Sequence, residues 1–518
     1  MYFIGVDLGT NGIKVGITDK EGHVIESSYR ETKLISPKPG FMEQEPQDFI
    51  TGTLNAIRDI LKKTKIDPGM IKSLSIDGQM GGVIGIDSEY ESITDFNIGL
   101  DARSEKYDDY ICSNFSKLIM SKTYGSPRNA PKIIWWKKEH PDVYKRIKKF
   151  VMLNSYVAGK LAGLKSKDAF IDYTLLSLFG IEDIKKQDWS EDICDALGID
   201  IEKLPGVVRP WDIVGKLTGY AADNCGLKEG TLIAAGAADQ VAGLLGAGLI
   251  KTGTLFEVAG SSTVQFLVVD KIVRHGEDDS IFYMPSIIPG LFYAFNYVNG
   301  GGICLRWFRD EFMGYYDREK GLAKANGFKA IERKIKDIPP GSEGLIFIPY
   351  FGGRQCPYDT TLRGAWIGLK WGHKIEHLYR AILEALAYNS RLAFDNLLSM
   401  FPDYKPDQVI ITGGGSKSDI WNQIKADVTG FKYLRAKDFE INIRGSGIIA
   451  GFGAGEIEDM VATAANIDIA DRSMEFLPDP KNKDVYDRYC DTFRNLFVND
   501  LAKTFRALFK QTSGGFKL

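Results

Sequence analysis

Histidine and cysteine are scarce and scattered in this chain. Among 518 residues there are 5 His and 6 Cys. The cysteines, at 112, 194, 225, 304, 356 and 490, form no C-x-x-C pair, and the one close pair of histidines, His373 and His377, has no cysteine beside it. A disulfide framework and a structural zinc are therefore excluded, and a reduced compartment is expected. Excess charge is missing too: 65 Lys+Arg against 68 Asp+Glu leave −3, too balanced for a partner held through its phosphate backbone, so no nucleic acid is expected. Long apolar runs are absent with one imitation, Leu232 to Ile250, interrupted only by Asp239 and Gln240. A carboxylate at the centre of a spanning helix costs about 2.5–3.5 kcal/mol. The stretch divides instead into a strand (232–235), a turn and a helix (240–248), so no membrane partner is expected. The N-terminus opens on a strand-like Tyr2-Phe3-Ile4-Gly5-Val6 with no basic, apolar and cleavable leader, which makes the expected location cytoplasmic.

What is present is an ordinary globular balance, 44% apolar and 26% charged, at a length suited to two large α/β domains or three smaller ones. Glycine is in excess, at 55 residues, and its placement is informative. Residues 3–19 (FIGVDLGTNGIKVGITD) and 255–270 (LFEVAGSSTVQFLVVD) each read as strand, small-residue turn, returning strand. A second echo links 71–87 with 406–421, each a β-run leading into glycines. Helical periods lie between them: 47–63, with apolar residues at 49, 50, 54, 57, 60 and 61, then 375–400, and an aromatic-rich tail at 484–509. That tail's stripe (Tyr486, Tyr489, Phe493, Phe497, Phe505, Phe509) reads as packing. The pattern predicts a duplicated α/β fold, divided near 248–252.

Three glycine-rich sites carry chemistry. In Asp7-Leu8-Gly9-Thr10-Asn11-Gly12-Ile13-Lys14, the glycines let backbone amides approach an anion. Thr10, Asn11 and Lys14 add donors, and Asp7 is a hard oxygen suited to hydrated Mg2+. A plain hairpin turn explains this segment alone; Gly260-Ser261-Ser262-Thr263 repeats the device and favours a clamp on a triphosphate. In Gly236-Ala237-Ala238-Asp239-Gln240, a carboxylate follows a buried strand and opens a helix. Two readings stand for it: a helix N-cap, or a general base for a hydroxyl attacking a phosphoryl group. Gly413-Gly414-Gly415-Ser416 follows the β-run 409–412 and precedes a helix near Asp419, leaving bare backbone for a flat base or a phosphate.

These residues resemble the FGGY family of carbohydrate kinases. The C-terminal signature fits as Gly364-x-Trp366-x-Gly368-Leu369, then His377-Leu378-x-x-Ala381-Ile382-Leu383-Glu384. The N-terminal one fits at Lys132-Ile133-Ile134-Trp135 and departs at Asn129 and Trp136. Within the family, DLGT at 7–10, GQM at 78–80, DAR at 101–103 and Asp239 are most similar to xylulokinases; WFRD at 307–310 and LPDP at 477–480 also resemble its autoinducer and other ketose kinases. The resemblance implies a duplicated actin-like ATPase (ribonuclease H-like) fold of two lobes with a central cleft. It implies a sugar-binding, catalytic lobe at 1–249 and a nucleotide-binding lobe with a helical tail at 250–518. It makes Asp239 the catalytic base and Asp7 a Mg2+-site residue. Thr10, Asn11 and Lys14, with Gly260 and Ser261, would meet the phosphates of ATP. Gly302, Gly414, Gly415 and Ser416 would line the nucleotide, and Gln79, Met80, Asp101, Asp239 and Gln240 would face the sugar.

The expected reaction is ATP-dependent phosphorylation of a ketose on its terminal hydroxyl, D-xylulose first. L-ribulose, L-xylulose, L-fuculose or erythritol are alternatives within the family, and a chaperone-like actin-fold ATPase is one outside it. The departures lie where substrate is read. Gly81 stands where xylulokinases carry His, so a donor is missing and a wider pocket is expected. Gln240 replaces a common Asn. The segment 439–445 differs from the family's Glu-Ala-x-x-Leu-Gly. Homodimers are common among such kinases, though no residue here requires one.

Overall fold

The computed structural model describes residues 1–518 apart from 126–127, 275–280, 299, 314–326, 356–357, 360, 438–439, 497–500 and 514–518. Cys356, Phe439 and Phe497 thus lie outside the described residues, as does the side chain of Phe509. The chain forms two compact units. Unit 1 comprises Met1–Ile250, Phe282–Phe292 and Glu440–Ile469, and unit 2 comprises Lys251–Ile281, Tyr293–Phe439 and Ala470–Leu518.

Unit 1 is built on β1 (Tyr2–Leu8), β2 (Gly12–Thr18), β3 (Val24–Glu31), α1 (Pro46–Thr64), β4 (Ile71–Gly78), β5 (Ile213–Lys216), β6 (Leu232–Ala234) and α2 (Asp239–Gly246). Its main sheet runs β5-β6-β4-β1-β2-β3. β1 pairs antiparallel with β2 and parallel with β4, and β6 joins β4 in parallel. β1 reads as a near-continuous apolar run because both its faces are covered. The period foreseen at 47–63 is real: Phe49, Ile50, Leu54, Ile57, Ile60 and Leu61 of α1 are all buried, in one core with Ile4, Val6, Val15 and Leu74.

Unit 2 repeats the plan with β7 (Leu255–Ala259), β8 (Thr263–Val269), β9 (Phe292–Val298), α3 (Gly301–Phe308), α4 (Ile375–Met400), β10 (Gln408–Thr412), α5 (Asp419–Thr429) and β11 (Lys432–Ala436). β7 pairs antiparallel with β8 and parallel with β10, and β10 pairs parallel with β11. Each sheet thus centres on a strand with its hairpin partner on one side and two successive parallel neighbours on the other. Each ends, beyond those, in an antiparallel edge: β5 in unit 1, and Ala470–Phe476 beside β11 in unit 2. Two sequences with little in common fold twice into one topology, as the paired glycine turns foretold.

One late helix, α6 (Ile441–Gly453), packs within unit 1 although it lies in sequence between two segments of unit 2. It crosses α2 where glycines remove the side chains: a Cβ on Gly246 would collide with the Ile441 carbonyl, and one on Gly445 with that of Ala242. The tail was expected as one helix over 484–509. It forms two described helices, Lys483–Asn495 and Leu501–Ser513, and Tyr486, Phe493 and Phe505 are buried as packing residues. No helix among the described residues is long and apolar enough to cross a membrane.

Candidate active site

The register of three strands sets the charged centre of unit 1. Asp7 lies opposite Lys14 across β1 and β2, and opposite Asp77 across β1 and β4. Residues abreast on neighbouring strands share a face, so Lys14, Asp7 and Asp77 form a row at the carboxyl ends of β1 and β4, where open α/β sheets present ligand groups. A bridge between Gly78 and Ala238 brings the start of α2 beside the same ends. Asp239 therefore joins the row from the turn after β6.

Burial governs these carboxyls. It pushes Asp239 up to about 7, with the Asp7 charge adding to the rise and the Gln240 amide opposing it. Asp7 is raised by burial, offset in part by Lys14. Asp77 is raised well above the carboxylate range by burial and by Asp7 beside it. Its Oδ2 accepts from Ser446 Oγ of α6 at 2.5 Å. The N-cap reading of Asp239 does not hold: Ala238 is the cap residue, Asp239 is the first helical residue, and its Oδ1 accepts from the Gln240 amide at 2.6 Å. Among the described residues, none donates a hydrogen bond to its other oxygen.

The 9–12 turn is held from behind. Thr10 carbonyl accepts from Thr32 Oγ1 and from Gln44 Nε2, each at 2.9 Å, and Asn11 carbonyl accepts from Tyr29 OH at 2.7 Å. A Cβ on Gly12 would strike the end of the exposed Tyr29 ring, which would have to swing aside. Thr10 Oγ1 donates to Gln79 Oε1 at 3.0 Å, and Gln79 Nε2 to Gln44 Oε1 at 2.8 Å. Gln79 thus ties the expected phosphate turn to the expected sugar residues. Lys14 Nζ lies 3.1 Å from Glu440 Oε2, a half-exposed pair from which it can be recruited by a stronger anion. Asn442, in the segment that departs from the family pattern, hydrogen-bonds Asp7.

One sugar-facing expectation changes. Asp101 is not an open acceptor: its carboxylate is held by Arg103 at 2.7–2.9 Å and by the Met42 amide at 2.7 Å, with no exposure of its own. It fixes Arg103, whose guanidinium also bonds Glu43 at 2.6 Å and stacks 4.0 Å over Phe41. A buried Asp beside a free-looking Arg in sequence gives no hint of this pairing. Met80 and Gln240 are half-buried beside the row. Gly81, after Met80, adopts φ +88, and Asn129 Oδ1 accepts from the next amide, that of Gly82, at 2.7 Å.

In unit 2, the 260–262 turn is stitched to α3: the Gly302 amide donates to Gly260 carbonyl at 2.9 Å and the Ile303 amide to Ser261 carbonyl at 3.0 Å. Gly302 is required, because a Cβ would come within 2.5 Å of that Gly260 oxygen. Gly260, Ser261, Gly302, Gly414 and Gly415 all line one cavity of about 510 Å3. Its apolar wall comes from Leu305, Tyr379, Leu383 and Trp421, and Arg306, Arg309, Lys329 and Lys417 make it cationic. Ser416 is the exception. Its hydroxyl donates to Gly413 carbonyl at 2.7 Å, buried behind the turn, so it shapes the loop and does not line the cavity. Arg306, anchored by Nη2 on Ser261 Oγ at 2.7 Å, and Trp421, beneath Gly415, went unnoticed in the sequence. Both sit on amphipathic helices whose pattern announces only packing.

Comparison with known proteins decides the family. The FGGY family of carbohydrate kinases matches through its N-terminal domain over residues 2–246 and its C-terminal domain over residues 252–454. The chain belongs to the FGGY family.

This FGGY kinase is 26% identical over 529 residues to the xylulose kinase of Bacillus subtilis (strain 168), covering 98% of this chain and 99% of the relative. It is equally 26% identical over 512 residues to the gluconokinase of that organism, covering 98% and 94%. The crystal structure of a ligand-bound xylulose kinase from Lactobacillus acidophilus superimposes with a TM-score of 0.86 at 25% identity, over 98% of this chain and 99% of that one. The FGGY chain is accordingly an ATP-dependent sugar kinase with the duplicated actin-like ATPase fold, acting on a small-molecule sugar and ATP. The chaperone-like ATPase alternative is set aside.

Proposed function

We propose that this kinase phosphorylates the terminal hydroxyl of a ketose, D-xylulose first, with Asp239 as general base. Unit 1 supplies the base and the sugar contacts, and unit 2 holds the nucleotide in its cationic cavity. The observation that carries the reading is Asp239 itself, a carboxyl raised to about 7 with one oxygen uncommitted. A base poised near neutrality accepts a proton from an attacking alcohol most effectively at working pH. In unit 1 Thr10, Asn11 and Lys14 are the donors for phosphate oxygens, and in unit 2 the amides at Gly260 and Ser261 are; such donors spread the charge that develops on transfer. Arg306 adds a cation at the same turn. Gln79, Met80 and Gln240 orient the sugar, and Asp101 acts through Arg103.

Mg2+ fits this donor set. Among the described residues no group of three His, Cys, Asp or Glu converges as a metal site, which suits an ion carried mainly by phosphates and water. Asp7, backed by Asp77, would hold it, and it would neutralise charge on the phosphates. A cytoplasmic location agrees with the free thiols of Cys112, Cys194, Cys225, Cys304 and Cys490.

Gluconokinase relatives of equal similarity make a sugar acid the second reading for the acceptor. An ADP-release screen over ketoses, polyols and gluconate decides: turnover with D-xylulose at least about tenfold above every other acceptor is expected, in line with what pocket contacts discriminate. Preference for gluconate would replace the ketose. Asp239→Asn is expected to lose at least about a hundredfold in turnover; near wild-type turnover removes Asp239 from the role of base.

A further inference from the structure

The turn that presents Asp239 is fastened from below by two residues outside every role assigned so far. The Ala238 amide, immediately before Asp239, donates to Thr174 Oγ1 at 2.9 Å. That hydroxyl in turn donates to Asp172 Oδ1. The same oxygen accepts the Thr174 amide at 3.0 Å, and Asn154 Nδ2 stands 3.4 Å from Oδ2. Asp172, Thr174 and Ala238 have no exposure and Asn154 only 1%. Asn154 also packs against Gly78, the residue bridged to Ala238. Tyr173, between the pair, donates to the carbonyls of Ser286 and Ile287 at 3.1 and 2.7 Å, which locks the short helix Tyr173–Leu178 in place.

We infer that Asp172 and Thr174 are positioning residues for Asp239, holding the amide before it so that its carboxyl meets the acceptor hydroxyl at a fixed angle. The inference rests on Asp239 being the base. The geometry favours this role because Ala238 lies outside every strand, held only by an isolated bridge to Gly78, and among the described residues the Thr174 hydroxyl is the acceptor for its amide. A run of amide to hydroxyl to carboxyl polarises along its length in a buried setting and stiffens. Nothing in the pair reaches solvent, so a ligand contact is not its task.

Thr174→Val keeps the shape and removes the hydroxyl. Displacing a reacting group by about 1 Å costs on the order of a hundredfold, so kcat is expected to fall about thirtyfold or more with KM for ATP unchanged. Thr174→Ser, which restores the hydroxyl, is expected within about threefold of wild type on the same ground. In an Asp239→Asn background, Thr174→Val is expected to cost no further turnover, as it acts through a group already lost. Unchanged kcat in Thr174→Val, no rescue by serine, or a full additional loss in the double variant would overturn the inference. Should the valine variant not fold, Asp172→Asn decides, with about a tenfold loss in kcat at unchanged KM for ATP expected and an unchanged kcat overturning it. Near wild-type turnover in Asp239→Asn alone would instead sink the reading of the base, so the two failures are distinguishable.

Discussion

Gly445 of α6 rests against Ala242 of α2 so closely that no side chain fits between them. The helix that begins with Asp239 is thereby seated on a helix drawn from the far end of the chain. A clash with backbone cannot be relieved by a rotamer change, so Gly445→Ala belongs at or above the upper end of overpacking costs, about 3 kcal/mol. We expect a lower melting temperature in calorimetry, and a reduced kcat even at temperatures where the variant remains folded. A melting temperature and kcat both equal to wild type would show that the two helices part without cost.

The rate is expected to rise with pH, with Asp239 as the proposed base. Its carboxyl is raised to about 7, so kcat/KM for the sugar should climb through pH 7 with unit slope and level above it. Stability runs the other way. A carboxyl whose folded pKa is raised favours the fold while protonated, and that contribution is lost as pH rises from the unfolded value near 3.9 through about 7. Asp239→Asn is therefore expected to melt above wild type at pH 8 and level with it at pH 4, while losing turnover. Equal melting temperatures at pH 8 would mean the carboxyl is ionised there without cost.

Much of this arrangement was legible in sequence, for local reasons. The hairpins at 3–19 and 255–270 announce themselves through small-residue turns between β-runs, and 375–400 is helical throughout as its period required. Asp239 was found because strand, glycine and helix follow each other within a few residues. What stayed hidden depends on distant contacts. Nothing around 441–453 says that the helix joins unit 1, because the glycine at 445 has meaning only against Ala242. The inward turn of Ser416 and the capture of Asp101 by Arg103 are side-chain choices that residue identity does not reveal. Asp172 and Thr174 carry no motif spacing, and their use appears only once Ala238 is placed above them.

Gly81 adopts φ +88, a conformation that costs a residue with a Cβ about 1–2 kcal/mol. A side chain at 81 would have to adopt this left-handed conformation, with Asn129 holding the adjoining Gly82 amide. Gly81→His is expected to lower stability by about 1 kcal/mol without improving kcat/KM for D-xylulose. An improvement with undiminished stability, measured by melting and by steady-state kinetics, would show that the turn accepts a side chain at 81 without strain.

Neighbouring glycines in the proposed nucleotide loop are expected to separate folding from binding. A Cβ on Gly414 would meet nothing within 4 Å, although this residue lines the cavity. A Cβ on Gly415 would strike the Trp421 ring and come within 3.0 Å of the Ala259 side chain. Gly414→Ala should therefore fold as wild type, since the added methyl has only the cavity to enter, and weaken ADP binding in calorimetry by about tenfold, the penalty of one misplaced methyl in a fitted pocket. Gly415→Ala should instead lower the melting temperature, because the large buried Trp421 ring has nowhere to retreat and overpacking costs about 1–3 kcal/mol. If Gly414→Ala bound ADP with undiminished affinity, the bare backbone at 414 would not be a nucleotide surface, and the cavity in unit 2 would need another occupant.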